Sequence, residues 1–435
     1  MSEEYNLMLK ELGVDVELHD ELMSTTARLH EKTFQSRPSR PETMAAFDEA
    51  AHAVHGSRVQ EVRAHRQAGG KSIGTFCIYV PDEIALAAEV LPIPLCGGTG
   101  WSVDYADKMF PRDICPLVRS TFGLAFSSTC PYKTLKDFAV GETTCDAKKK
   151  AWDLLGFKVM EVPQKKAEMD RDLWRAEVRA FKDAVEDLSG VTVTPEALKS
   201  SIRLVNKKRD LLGKINAYRK LDPPPLSGLD ALLVSQTALA MDTGAFNAIA
   251  QALADELGAR AASGASAYET PGKRVLMAGT PSPLGYAKVH DVVESSGMRI
   301  VADESCTGVR YYRNLVDETP GDLEGMLDAI ADRYFTIDCA CFSPNAERFE
   351  NVVALARAYG VQGVVQNVLQ YCHGFNVEAR ALENALKDAD LPSLKIETDY
   401  AEEDIEQLKV RAEAFREILP DAPPACNVRA GAGQG

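Results

Sequence analysis

Long apolar runs are missing from this chain, so no transmembrane helix is expected. The stretch MSEEYNLMLKELGVDVELHDELM is acidic and lacks the apolar core of a secretory signal, which points to a cytoplasmic location. An excess of positive charge is missing too. The formal net charge is −15, which argues against nucleic acid as a main partner, because phosphate binding needs a basic surface. No C-x-x-C pair occurs, so zinc ribbons, ferredoxin runs and thioredoxin-type redox sites have no support. A Walker A loop is absent, because Gly272-Lys273 lacks the glycine five residues before Gly272. No Gly-rich dinucleotide fingerprint opens a β-α unit, and GGTG at 97–100 reads as a turn. Nucleotide chemistry is therefore expected on another protein.

What is present is an ordinary globular composition, 45% hydrophobic and 26% charged over 435 residues, enough for two or three domains. Residues 1–66 read as a helical segment, with apolar residues at helical spacing through Leu7, Leu12, Leu18 and Leu22 and again through Met44, Phe47, Ala51 and Val54. His52, His55 and His65 in or near it read as a solvated helix face, because no cysteine or carboxylate cluster completes a ligand set. Residues 67–162 read as a first α/β domain, with strands at 72–80, 91–95, 138–143 and 157–162. Residues 163–265, rich in Lys, Glu, Arg, Ala and Leu, read as a helical insertion. Residues 266–420 read as a second α/β domain, with strands RVLMAG, MRIVAD, YFTIDC, QGVVQNV and SLKIET and helices starting near Gly285, Asn345 and Glu378. Residues 421–435 read as a disordered tail. The β-α-β-α rhythm implies mostly parallel sheets covered by helices.

Ten cysteines remain. Nothing suggests secretion and disulfides, and any single thiol reads equally well as a small buried hydrophobe. Their positions argue for more. Cys145 lies between a strand and a helix, Cys306 follows MRIVADES, Cys339 and Cys341 follow YFTID, and Cys372 follows GVVQNVLQY. Ligands of open α/β sheets bind beyond the carboxyl ends of strands, so separate segments deliver thiols to the functional edge. Cys77 lies in a strand just before the helix opened by Pro81, and Cys115 precedes a helix start at Pro116, where a helix N-terminus favours thiolate. Dispersed soft thiolates converge only through the fold, and they select iron–sulfur over hard ions.

The segments GTFCIYVPDEIALAAEVLPIPLCGG, CPLVRSTFGLA, TTCDAKKKAWDLL, DESCTGVRYY, DCACFSPNAER, QYC and IETDY, followed by Arg411 and Phe415, together resemble the 2-hydroxyacyl-CoA dehydratase and benzoyl-CoA reductase family, including its double-cubane cluster proteins. The resemblance runs from about Gly74 to Phe415. It implies two flavodoxin-like α/β domains with helical parts, an oxygen-sensitive iron–sulfur cluster between them, and a separate ATP-hydrolysing [4Fe–4S] activator that injects low-potential electrons. Dehydratase branches of the family are heterodimers acting on CoA thioesters, with few cluster cysteines in each chain. The double-cubane branch is homodimeric and resembles reductases of small molecules. Cys77, Cys115, Cys145, Cys306, Cys341 and Cys372 stand at the matching positions, giving three thiolates to each of two cubanes joined by a bridging sulfide, [8Fe–9S]; a single [4Fe–4S] is the alternative cofactor. Cys339 is the alternative to Cys341, and Cys96, Cys130 and Cys426 are assigned to packing or surface.

Among the polar residues, His373 is the candidate catalytic proton donor, with capping of a strand end as its competing role. Arg310 either neutralises cluster charge near Cys306 or pairs with Asp303 or Glu304. Lys148–Lys150 read as a solvated helix face rather than an anion site. The expectation is a homodimeric iron–sulfur reductase of a small unsaturated molecule. A subunit of a 2-hydroxyacyl-CoA dehydratase or benzoyl-CoA reductase, and a non-enzymatic electron relay, are the alternatives.

Overall fold

The computed structural model describes residues 3–95 and 97–422. The roles expected for Cys96 and Cys426, and the expected disorder beyond residue 422, lie outside the described residues. The chain is α/β, with two four-stranded sheets in which every pairing is parallel.

The first sheet holds β1 (Lys71–Thr75), β2 (Val90–Pro94), β3 (Phe138–Glu142) and β4 (Lys158–Met160), in the order β2-β1-β3-β4. The second holds β5 (Lys273–Gly279), β6 (Met298–Glu304), β7 (Gly363–Leu369) and β8 (Ser393–Thr398), in the order β6-β5-β7-β8. Both follow the first four positions of the flavodoxin-like order, so each sheet reverses its winding beside its first strand and opens a crevice beyond the carboxyl ends there. In the second sheet, alternate residues build two separate cores. Val275, Met277, Ile300 and Val365 face the helices Lys288–Ser295 and Ile405–Ile418, while Leu276, Ala278, Val301 and Val364 face the helices Ala346–Ala358 and His373–Asp388. Burial on both faces is why these strands read as continuous apolar runs.

Two strand expectations are corrected. The strand expected over 72–80 stops at Thr75, where pairing with β2 ends at Thr75↔Pro94; Cys77–Val80 turn directly into the helix Asp82–Ala87. The strand expected at 334–339 does not form. Tyr334 and Phe335 complete the helix Leu323–Phe335, whose buried Met326, Leu327, Ile330, Ala331 and Tyr334 recur at helical spacing.

Helices Glu168–Ser189, Pro195–Ala217, Gly228–Ala240 and Thr243–Ala262 separate the sheets in sequence. Thr194, Ser227 and Asp242 cap three of them by accepting from the backbone N–H of Ala197, Asp230 and Ala245 at 3.2, 3.0 and 2.9 Å. The helix Gly228–Ala240 is buried on every face, and the largest core cluster joins it to the first sheet and to the helix Leu323–Phe335. The amino-terminal helices lie against the β2 edge, where Tyr5, Met8 and Leu9 pack with Val59, Val62 and Ile93. Among the described residues no helix is long and apolar enough to cross a membrane.

Candidate functional site

A cavity of about 650 Å³ lies beyond the carboxyl ends of both sheets. Its walls come from the segments after β1, β3, β5, β6 and β7, closed over by the amino-terminal helices through Met23, Leu29 and Phe34. All six candidate thiols and Cys339 converge on this space, in two sets.

The first set is Cys77, Cys306, Cys339 and Cys341. Cys77 and Cys306 share a hydrogen bond, as do Cys339 and Cys341. The bond from Cys77 outweighs the effect of burial and brings Cys306 down to about 6, aided by Arg310 and Lys148. Its partner Cys77 is raised by the same bond, then by burial. The buried Tyr79, whose hydroxyl donates to the Ile337 carbonyl at 3.2 Å, lies in the field of all four thiols.

Cys115, Cys145 and Cys372 form the second set, each standing immediately before a helix: Pro116–Phe126, Asp146–Leu155 and His373–Asp388. Cys372 bonds to Cys115 and lowers its pKa; burial opposes this, and the backbone N–H groups of Leu117 and Val118 add to it. Burial raises Cys145, partly offset by Lys148. Cys339 interacts electrostatically with Cys306 as well as with Cys145 and Cys372, so it links the two sets. Each set draws thiols from both sheet units.

The charges nearby are placed more firmly than the sequence suggests. Arg310 pairs with Glu304, Nη2 donating to Oε2 at 3.0 Å, and its Nη1 also reaches Cys306 Sγ at 3.8 Å. Asp303 pairs instead with His290 and Arg219. Glu304 also takes Arg348, and the two guanidiniums overcome burial to hold its carboxyl low. The solvated face expected for 148–150 is corrected at Lys148. Its side chain is only 12% exposed, and Nζ donates to Glu142 Oε1 at 2.6 Å. Burial pulls its pKa down, but Glu142 and the surrounding thiols outweigh that and keep it charged.

His373 is exposed at the first position of its helix, on the cavity wall. His55 corrects the expectation of a solvated histidine face. It bonds His19 at 3.3 Å, and burial holds its pKa down to about 3. His65 lies against the Lys71 carbonyl at 3.1 Å, and His52 is exposed at the cavity. Cys130 packs with the amino-terminal cluster beside Tyr132 as expected, but it also lines the cavity.

Among the described residues no three histidine, cysteine or carboxylate side chains close around a point as a single metal ion requires. A cubane takes its thiolates at separate corners, so a soft donor set spread around a cavity suits it where a lone ion would not fit.

The model of the family "2-hydroxyglutaryl-CoA dehydratase, D-component" matches residues 77–419. "Putative dehydratase subunit YjiM" of Escherichia coli is 36% identical over 365 residues, covering 81% of this chain and 93% of its own. The (R)-phenyllactyl-CoA dehydratase beta subunit of Clostridium sporogenes is 23% identical, over 86% of this chain and 98% of its own. A subunit of the benzoyl-CoA reductase of Thauera aromatica is 24% identical, over 79% and 89%.

Proposed function

Since the chain belongs to the 2-hydroxyglutaryl-CoA dehydratase D-component family, we propose that it is an iron–sulfur reductase whose two thiol sets hold a double-cubane cluster. The observation that carries this reading is the division of the thiols: Cys77, Cys306 and the bonded pair Cys339 and Cys341 on one side, with Cys341 taken as the ligand of that pair, and Cys115, Cys145 and Cys372 on the other. Three thiolates per set is what two bridged cubanes need. When bound, such a cluster would take up and pass on single low-potential electrons.

The protein's own residues fit the task. Three helix N-termini face the second set and favour thiolate. Arg310 supplies positive charge at Cys306. His373 is assigned as the proton donor in this reading, and its exposed position on the cavity wall supports that. The reading includes a homodimer, as the resemblance to the double-cubane branch implies, and a separate ATP-hydrolysing activator, because the sequence lacks a phosphate-cradling loop.

A second reading, a dehydratase or benzoyl-CoA reductase subunit acting on a CoA thioester, is favoured by the relatives' names and by the cavity, whose size and apolar wall suit a ligand larger than a few atoms. Iron and sulfide analysis after anaerobic purification separates the two. About eight irons per chain is expected for two cubanes, and about four indicates one. Stoichiometric zinc without iron would defeat both.

A further inference from the structure

Lys148 stands where the two thiol sets meet. Its charge bears on Cys77, Cys306 and Cys341 of the first set and on Cys145 of the second. The ammonium lies 4.8 Å from the centroid of the Phe76 ring and lines the cavity. Glu142 lies behind it, fully buried, with its second carboxylate oxygen lacking any hydrogen-bond partner. Glu142 ends β3, Cys145 precedes the next helix, and Lys148 sits in that helix's first turn, so one strand–turn–helix unit fixes all three. The pair therefore presents its ammonium to Cys306, Cys341 and Cys145, while at Cys77 the Glu142 carboxylate outweighs it. Out of water such a charge acts strongly on its neighbours. Arg310 differs, because the carboxylate of Glu304 grips it through both Nε and Nη2.

We propose that Lys148 is a positioning residue that acts through its charge: it offsets the negative charge gathered on reduction between the two thiol sets, and Glu142 moderates it. This rests on the reading that the sets hold an iron–sulfur centre. The pair thus sets the reduction potential of whatever cluster the thiols carry.

The test uses anaerobically purified full-length chain, with iron and sulfide analysis followed by a spectroscopic redox titration. Lys148→Met is expected to keep its iron and to lose at least about tenfold in the one-electron reduction equilibrium, about 59 mV toward more negative potential. Glu142→Gln should move the potential the opposite way, and Lys148→Arg, which keeps the charge, should hold the wild-type value. A merely structural pair would alter stability without opposite shifts in potential. An iron-replete Lys148→Met with an unchanged or more positive potential overturns the proposal, as does a Lys148→Arg shift equal to that of Lys148→Met. If Lys148→Met loses iron, Glu142→Gln decides, and no positive shift there overturns it. Iron loss in both also overturns it, since the pair is then scaffold. Wild-type chain without iron defeats the parent reading and this inference together; iron-replete wild type with unresponsive variants defeats this inference alone.

Discussion

A cysteine placed just before a helix meets unpaired backbone N–H groups and the positive end of the helix dipole, and Cys115, Cys145 and Cys372 all occupy that position. Substituting Cys145 or Cys372 by Ala should lower iron content, while Cys130→Ala should keep full iron and cost only about 1 kcal/mol of stability. Iron analysis of the three variants checks this, and full iron in the Cys145 and Cys372 variants would sink the ligand assignment. Parallel Cys339→Ala and Cys341→Ala variants decide which of that bonded pair is needed. These positions are legible because strand ends and helix starts leave marks in sequence, such as Pro116 after Cys115. Lys148 is not legible: three consecutive lysines look solvated, and its partner Glu142 meets it only once strand and helix are packed. A different residue-scale test lies in the buried Arg209–Glu83 pair, both side chains wholly covered, with the Tyr334 hydroxyl donating to Glu83 at 2.8 Å. Burial pushes the Glu83 carboxyl up, but Arg209 and Arg333 hold it low. Removing one partner of such a pair strands the other charge, so Arg209→Met should cost about 3–5 kcal/mol in denaturant unfolding. A loss below about 1 kcal/mol would contradict the role given to the pair.

At the scale of elements, the amino-terminal helices carry their own titration. Asp48 on the helix Met44–Ala53 bonds His30 at 2.8 Å and Arg40 at 2.8 Å, and Arg40 also grips Asp230 at 2.7 Å. Burial pushes the Asp48 carboxyl up, but the bonds from His30 and Arg40 win and hold it below its ordinary 3.8. A carboxylate with a depressed folded pKa contributes stability above the unfolded value and loses it as pH falls through the folded one. Acidification below the ordinary carboxylate range should therefore loosen this contact. Asp230, raised by burial, works in the opposite sense, and His52 is lowered by its partial burial and by His30. Asp48→Asn should flatten the acid limb of a stability–pH profile, and parallel slopes for wild type and variant would contradict the assignment. Most elements are readable from periodicity, the second sheet best, since its strands are buried on both faces. The segment at 334–339 misleads because Tyr, Phe, Thr and Ile favour strands locally, whereas the apolar stripe that begins at Met326 carries the helix through Tyr334. Tertiary packing overrides the local preference.

Two expectations belong to the whole molecule, one from its sequence and one from how the units meet. The purified chain should show no ATP hydrolysis by phosphate release, since no phosphate-cradling loop is present in the sequence, and turnover by the isolated chain would contradict a separate activator. On the proposed reading, anaerobic iron chelation should lower the melting temperature and speed proteolysis between the sheet units, because thiols of both units would hold the same cluster. An unchanged melting temperature after complete iron loss would show that the thiols do not hold a shared centre. The mixed parentage of each thiol set also has a consequence for how the protein is made. Cys77, Cys115 and Cys145 leave the ribosome first, and the entire helical stretch from Glu168 to Ala262 must be synthesised before Cys306 exists. The early thiols wait without their counterparts, and Cys372, the partner of Cys115, arrives last. Neither set can be completed co-translationally on the first unit alone. On the proposed reading, delivery of iron and sulfide therefore waits for the finished chain, because neither thiol set is whole until both sheet units have been made.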